Sequence, residues 1–362
     1  MTSREVIKTI LNGEPAERVG FWLGNPADDT KRMYALKLGL HAGNDDARDR
    51  SDSHLLATHS DEQDIELHSA FKSDLHWCSP ELDANAYKHP DGKPMFDVYG
   101  GKERKSLNQP GVFADCESVK EVEAFDWPNP DYMDFTSTLN AIELARSKGM
   151  AVFSGMWTPF FHVLCDFFGM DNYFMKMYTH PAVVEAATER VLDFYLETNK
   201  RFFDIAGSKI DAYFFGNDLG SQLNLMISPS TFDQFILPGF KKSIALAKRY
   251  DLKVAVHSCG AVSSIIPKLI DIGVDALHPL QAKAEGMDAE NLARQFKGHI
   301  TFIGGVDTQD LLPFKSPDEV KTEVRRLKTL FGDQFIVSPS HEALLPNVSV
   351  ENALAMRDAT FE

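Results

Sequence analysis

A parallel α/β barrel is the fold this sequence predicts, and three observations predict it. From about residue 132 onward, short apolar runs alternate with amphipathic stretches whose apolar residues recur at helical spacing. Such alternation implies a parallel sheet covered by helices. No Gly-x-Gly-x-x-Gly follows the first strand and no Walker-type loop is present, which disfavours an open nucleotide-binding sheet. The 362 residues contain no low-complexity linker and no repeat, and α/β barrels reach this size as one domain.

The elements follow in order. Arg4 to Leu11 reads as a helix ended by Asn12-Gly13, and Gly20 to Gly24 as a strand before the polar loop Asn25 to Asp29. Residues 42–62 read as a solvated helix and loop, and residues 85–110, rich in Lys, Gly, Asn and Pro, as loops or hairpins. The first 130 residues are therefore the less regular part of a single domain spanning 1–362. Six strand-like runs follow: Ala151–Gly155, Ile210–Phe215, Lys253–Val256, Val274–Leu277, Ile300–Ile303 and Phe335–Val337. Ser228-Pro229 opens one intervening helix with proline in its first turn, and Ser316-Pro317-Asp318-Glu319 opens another as a capping box. Tyr250-Asp251 and Phe331-Gly332 close helices just before strands.

Bulk properties narrow the partners. The formal charge is −16, from 53 acidic and 37 basic residues, which argues against nucleic acid and against an anionic membrane surface. No run of 18 apolar residues occurs, and the first residues are polar and amphipathic rather than signal-like. The four cysteines, at 78, 116, 165 and 259, are widely spaced and form no disulfide framework, so a reduced cytoplasmic setting is expected.

In α/β barrels the chemistry lies at the C-terminal ends of the strands. Those ends here are Met156-Trp157-Thr158, Gly216-Asn217-Asp218, His257-Ser258-Cys259, His278 to Gln281, Gly304 to Asp307 and Ser338 to Glu342. His257 and Cys259 form the leading pair, because an imidazole and a thiolate one residue apart at a strand end can reach one divalent ion. Zinc accepts nitrogen and sulfur together. His341 and Glu342 are the further ligand candidates, since a catalytic zinc needs three protein ligands and an open position. Asn217 and Asp218 suit a substrate hydroxyl or ammonium, a hydrogen bond to a ligand histidine, or simply an Asx-turn. Asp307 and Gln281 are candidate substrate contacts. Trp157, Phe160, Phe161, Phe167 and Phe168 form either core or the wall of a ligand pocket.

Taken together, Asn217 to Gln222 with Ile227-Ser228-Pro229, His257 to Gly260, Ile272 to Gln281, Phe302 to Gln309, Ser338 to His341 and Val350 to Ala353 resemble the uroporphyrinogen decarboxylase superfamily. That superfamily includes cobalamin-dependent methyltransferases. The resemblance covers residues 130–360 well and the first third loosely. It implies a single distorted (β/α)8 barrel with an irregular N-terminal extension and a site in the mouth. The decarboxylases proper carry an Arg-Gln-x-Gly-Arg segment after the first strand; Gly20 to Asp29 has no arginine and offers Asp28 and Asp29 instead. The methyltransferase branch is similar in using His-x-Cys and a later Cys to hold zinc. His257 and Cys259 match, while His341-Glu342 stands where the later Cys would be.

The resemblance implies a zinc-dependent methyltransferase that moves a methyl group between a small substrate or thiol and a corrinoid carried on a partner protein. His257, Cys259 and His341 would hold the metal. Asp218 and Glu342 would transfer protons or orient ligands, and Asn217, Trp157, Asp307 and Gln281 would contact substrate. A decarboxylase or lyase acting on another substrate, and a non-catalytic tetrapyrrole- or corrinoid-binding protein, are the alternatives.

Overall fold

The computed structural model describes residues 1–40, 61–83, 85–102, 105–106 and 108–362. The helix and loop expected at 42–62 lie mostly outside the described residues; their last two residues open the helix Asp61–Ala70. Among the described residues eight strands form one parallel sheet: β1 (Gly20–Phe21), β2 (Leu75–Trp77), β3 (Ala151–Ser154), β4 (Ala212–Gly216), β5 (Lys253–His257), β6 (Ala276–His278), β7 (Thr301–Val306) and β8 (Phe335–Pro339). Consecutive strands pair from β2 to β8, and β8 pairs back with β1. Helices cover the outside, as the alternation required, and the fold is a (β/α)8 barrel.

The first third of the chain contributes more to the barrel than its irregular composition suggests. It supplies β1 and β2, and β2 was not among the expected strands. Leu75-His76-Trp77 is too short, and its central residue too polar, to stand out as a buried run. All three side chains are nevertheless buried, because Leu75 and Trp77 enter the barrel interior while His76 packs against His68 of the Asp61–Ala70 helix.

The seam between β1 and β2 is closed by one aspartate. The Asp74 N–H donates to the Phe21 carbonyl at 2.8 Å, and the Asp74 carboxylate accepts from the Phe21 N–H at 2.9 Å. The same residue type does the same work twice more at the lower rim. Asp211 accepts from the Val152 N–H at 2.9 Å and Asp275 from the Val254 N–H at 2.7 Å. Each stands one residue before an even-numbered strand and satisfies the first free amide of its neighbour, which would otherwise be buried without a partner. Each carboxylate also meets a cation: Arg18 binds Asp74 through two nitrogens at 2.6 and 2.7 Å, Arg4 binds Asp211 at 2.9 Å, and Lys248 binds Asp275.

The N-terminal helix Ser3–Leu11 closes the lower end of the barrel. Thr2 and Glu5 form a capping box at its start. Val6, Ile7, Ile10 and Leu11 make one apolar face that packs on Ala151, Ala212, Ala255, Ala276, Ile303 and Ile336. Four alanines on the inward faces of β3 to β6 leave the space the isoleucines fill. Thr301 of β7 adds a bond from its hydroxyl to the Ile10 carbonyl at 3.2 Å. With the bottom plugged, polar inward groups collect at the opposite, C-terminal end.

Candidate active site at the barrel mouth

The side chains at the strand ends converge. His257 ends β5 and His278 ends β6, and the paired register sets the two residues side by side. Their Nδ1 atoms are 2.9 Å apart. His257 Nε2 lies 3.0 Å from Asp218 Oδ1 and 3.4 Å from Cys259 Sγ, while its Nδ1 is 3.7 Å from Glu342 Oε2. The Asp218 carboxylate also accepts from the Cys259 N–H at 2.9 Å, which ties the β4 loop to the β5 loop.

That tie needs two glycines. Gly260, at φ +84°, and Gly220 pass so closely that a Cβ on Gly260 would lie 2.2 Å from the Gly220 backbone. The glycine after His-Ser-Cys is thus a steric requirement for bringing Asp218 to Cys259. Gln281 reinforces the turn by accepting from the Gly260 N–H at 3.0 Å.

Protonation states follow from these neighbours. Burial alone would push the His257 ring toward neutrality, but Glu342, Cys259 and Asp218 together hold its pKa well above the ordinary histidine value. Burial works against charge on Asp218 as well; the adjacent His257 charge and hydrogen bond, His162 and the Cys259 amide outweigh it and hold the carboxyl far below its usual range. Burial drives His278 well below its ordinary value, so that ring is neutral. His257 then donates from Nδ1 to His278 Nδ1, which leaves the His278 proton on Nε2, where no partner meets it. The Cys259 thiol is pushed up to about 11 by burial, with His257 only partly offsetting it.

A second buried atom without a hydrogen-bond partner is Glu342 Oε2. Unpaired buried polar atoms are uncommon, and at a strand-end cluster they point to a missing ligand. The donor set fits a metal. His257 Nε2 and Cys259 Sγ are 3.4 Å apart, close to the separation of about 3.5 Å that zinc–nitrogen and zinc–sulfur bonds impose in a tetrahedron. The ligand atoms of Asp218, His257 and Cys259 lie within 4.8 Å of one another, as do those of His257, His278 and Glu342, and those of Cys259, His341 and Glu342. His341 is 40% exposed and its Nδ1 accepts from the Ala343 N–H, so Glu342, 18% exposed, is the more deeply set of the two.

The other expected contacts divide. Trp157 stands at the mouth, half-buried, with its ring 5.2 Å from that of His257 and 4.8 Å from that of Trp77. Phe160, Phe161, Phe167 and Phe168 are wholly buried core. Asn217 already uses both ends of its amide: Oδ1 accepts from the Phe161 N–H at 2.8 Å, and Nδ2 donates to the Thr158 carbonyl at 3.2 Å. Asp307 accepts from the N–H groups of Gln309, Asp310 and Leu311, as a turn-capping residue does. Two further mouth residues had no role assigned from sequence. His278, named there only as a strand end, is the buried partner of His257. Glu81 lies behind Trp157, and nothing in a lone Glu after Ser79-Pro80 signals a role.

Comparison with known proteins places this geometry in context. The family model described as uroporphyrinogen decarboxylase (URO-D) matches residues 103–362. A methyltransferase from Methanosarcina mazei shares the fold at a TM-score of 0.68 and 17% identity, over 100% of this chain and 98% of the other. Xylanase 10B from Thermotoga maritima aligns over 100% and 98% of the two chains at a TM-score of only 0.45 and 10% identity, a likeness too loose to bear on function. No curated protein sequence matches.

Proposed function

Because the chain belongs to the uroporphyrinogen decarboxylase family, we propose that it is a methyltransferase of the corrinoid type with a zinc site at the barrel mouth. The observation that carries this reading is the His257–Cys259 pair, with its nitrogen and sulfur 3.4 Å apart and carboxylates on two sides. A zinc ion bound there would act as a Lewis acid, holding a thiol as thiolate or polarising a leaving group. His257 and Cys259 would hold it, with the third ligand from Glu342, His341 or Asp218.

The remaining roles belong to the chain itself. His278 fixes the His257 ring through Nδ1 and so presents Nε2 to the mouth. Asp218 aligns Cys259 through its backbone N–H. Trp157 forms an apolar wall beside His257 that excludes water from one side. The carboxylates of Asp218 and Glu342 hold or move protons at the substrate. With the lower end plugged by the Ser3–Leu11 helix, small substrate and carrier approach through the mouth.

Elemental analysis tests the reading. Protein expressed with ample zinc should contain the metal stoichiometrically, and Cys259→Ser should lower zinc content and activity together while the circular dichroism spectrum stays unchanged. Zinc-free wild-type protein under those conditions overturns it. One observation favours a second reading. Asp218 competes with any metal for His257 Nε2 at 3.0 Å, and a protonated His257 between Asp218 and Glu342 could deliver a proton to a carbanion in a metal-free lyase. Release of carbon dioxide from a substrate by metal-free protein would select that alternative.

A further inference from the structure

Glu81 lies on the turn Pro80–Leu82 that follows β2, and its two oxygens face into the protein. One accepts from the Tyr195 hydroxyl at 2.7 Å, and the other from the Thr158 N–H at 3.2 Å. The Trp157 backbone amide lies beside the same carboxylate and helps to lower its pKa. These contacts join three separate parts of the barrel wall: the β2 turn, the β3 turn and the helix Pro181–Ala206.

The β3 turn is an unusual piece of backbone. Thr158 is one of few non-glycine residues here with positive φ, at 54°, which costs energy unless its surroundings enforce it. The enforcement is visible. Its hydroxyl bonds the Met156 carbonyl at 2.9 Å and the Tyr213 hydroxyl at 2.8 Å, and its carbonyl accepts from Asn217 at 3.2 Å. The Trp157 carbonyl accepts from the Gly216 N–H at 3.1 Å. The Thr158 N–H of the turn goes to Glu81.

We propose that Glu81 is a positioning residue, which acts through the Trp157–Thr158 backbone to fix the Trp157 indole against His257 and so sets the shape of the substrate wall. The inference goes beyond the proposed reaction and holds for either chemistry, because it concerns the wall and not the metal. Burial is the largest influence on the carboxyl and pushes its pKa up to about 7, with the Tyr195 hydroxyl and the backbone amides of Thr158 and Trp157 partly offsetting it. Tyr195 and Tyr213 are the titratable groups that face it, and both are held neutral by burial. The latch therefore changes charge in the neutral range.

The chain has four tryptophans, so protein labelled with 15N at tryptophan gives few signals. No substrate or metal is needed, which keeps this test separate from that of the proposed function. In wild type the Trp157 backbone amide and indole signals should titrate with a midpoint near 7. Glu81→Gln keeps size and pairing, since its amide oxygen accepts from the turn and its NH2 donates to Tyr195. It should abolish that midpoint and leave the Trp127 signals unchanged. Tyr195→Phe removes a bond that favours the carboxylate and should move the midpoint upward, which decides the matter should Glu81→Gln fail to fold. A Trp157 titration that persists in Glu81→Gln, or that ignores Tyr195→Phe, overturns the proposal.

Discussion

Gly216 ends β4 with Trp157 on one side and His257 on the other, and a Cβ there would lie 2.6 Å from the Trp157 ring and 2.7 Å from His257 Cβ. Gly216→Ala should therefore cost about 1–3 kcal/mol in a urea melt, the usual penalty of overpacking. A variant as stable as wild type would show that the two side chains do not close on Gly216 this tightly. Glu81 gives a prediction with a sign. Its pKa rises from 4.5 to about 7 on folding, so the folded chain holds this proton more tightly than the unfolded chain. The stability it contributes is complete below pH 4.5 and is lost as pH rises through 7. Glu81→Gln lacks that loss, so its urea midpoint should rise relative to wild type between pH 5 and pH 8.5. His257 and Cys259 were legible in the sequence because an apolar run led directly into them. Glu81 was not, since its hydroxyl partner is 114 residues away and no local pattern encodes that contact. The reading of His341 and Glu342 as ligand candidates was legible in kind, but which of them turns inward depends on the loop after β8.

At the scale of elements, β3 to β8 could be read because each is an apolar run that opens onto a polar loop, and β1 could be read within Gly20 to Gly24; β2 could not. β1 and β2 are two and three residues long, and their partners hold them more than their own sequence does. The aspartates before β2, β4 and β6 show why short strands suffice. Each carboxylate supplies the bond that a longer strand would have made with backbone. Arg18→Ala leaves Asp74 wholly buried without its cation, with side-chain exposure of 0%. The expected cost is about 3–5 kcal/mol, as for other broken buried pairs, and the amides of Phe21 and Leu23 should lose protection from hydrogen exchange first. Equal loss of protection throughout the barrel would place the weak point elsewhere.

For the whole molecule, the charge of −16 and the arginine-free stretch from Gly20 to Asp29 bear on substrate class. Asn25 and Ala27 of that stretch bond to the Glu342 and Leu344 carbonyls, so Asp28 and Asp29 begin their helix beside the loop that carries Glu342. A porphyrinogen bearing many carboxylates would meet like charge there, and incubation with uroporphyrinogen should yield no coproporphyrinogen. Formation at an enzymatic rate would reverse that conclusion. Among the described residues no helix is long and apolar enough to cross a membrane. Alternation alone fits a closed barrel or an open sheet; the absence of a nucleotide-binding loop selected the barrel, whose closure depends on contacts between strands far apart in the chain. The plug helix makes that dependence temporal. Ser3–Leu11 leaves the ribosome well before β7 and β8, yet its seat includes Ile303 and Ile336, and the bond from Thr301 to Ile10 spans 291 residues. Contacts so distant in sequence form late. The isoleucine face must therefore wait, uncovered, until β8 has been synthesised, and it is the surface a chaperone would meet on the nascent chain. A chain stopped after Phe331 should leave the amides of this helix exchanging freely, although most of its strands are already made.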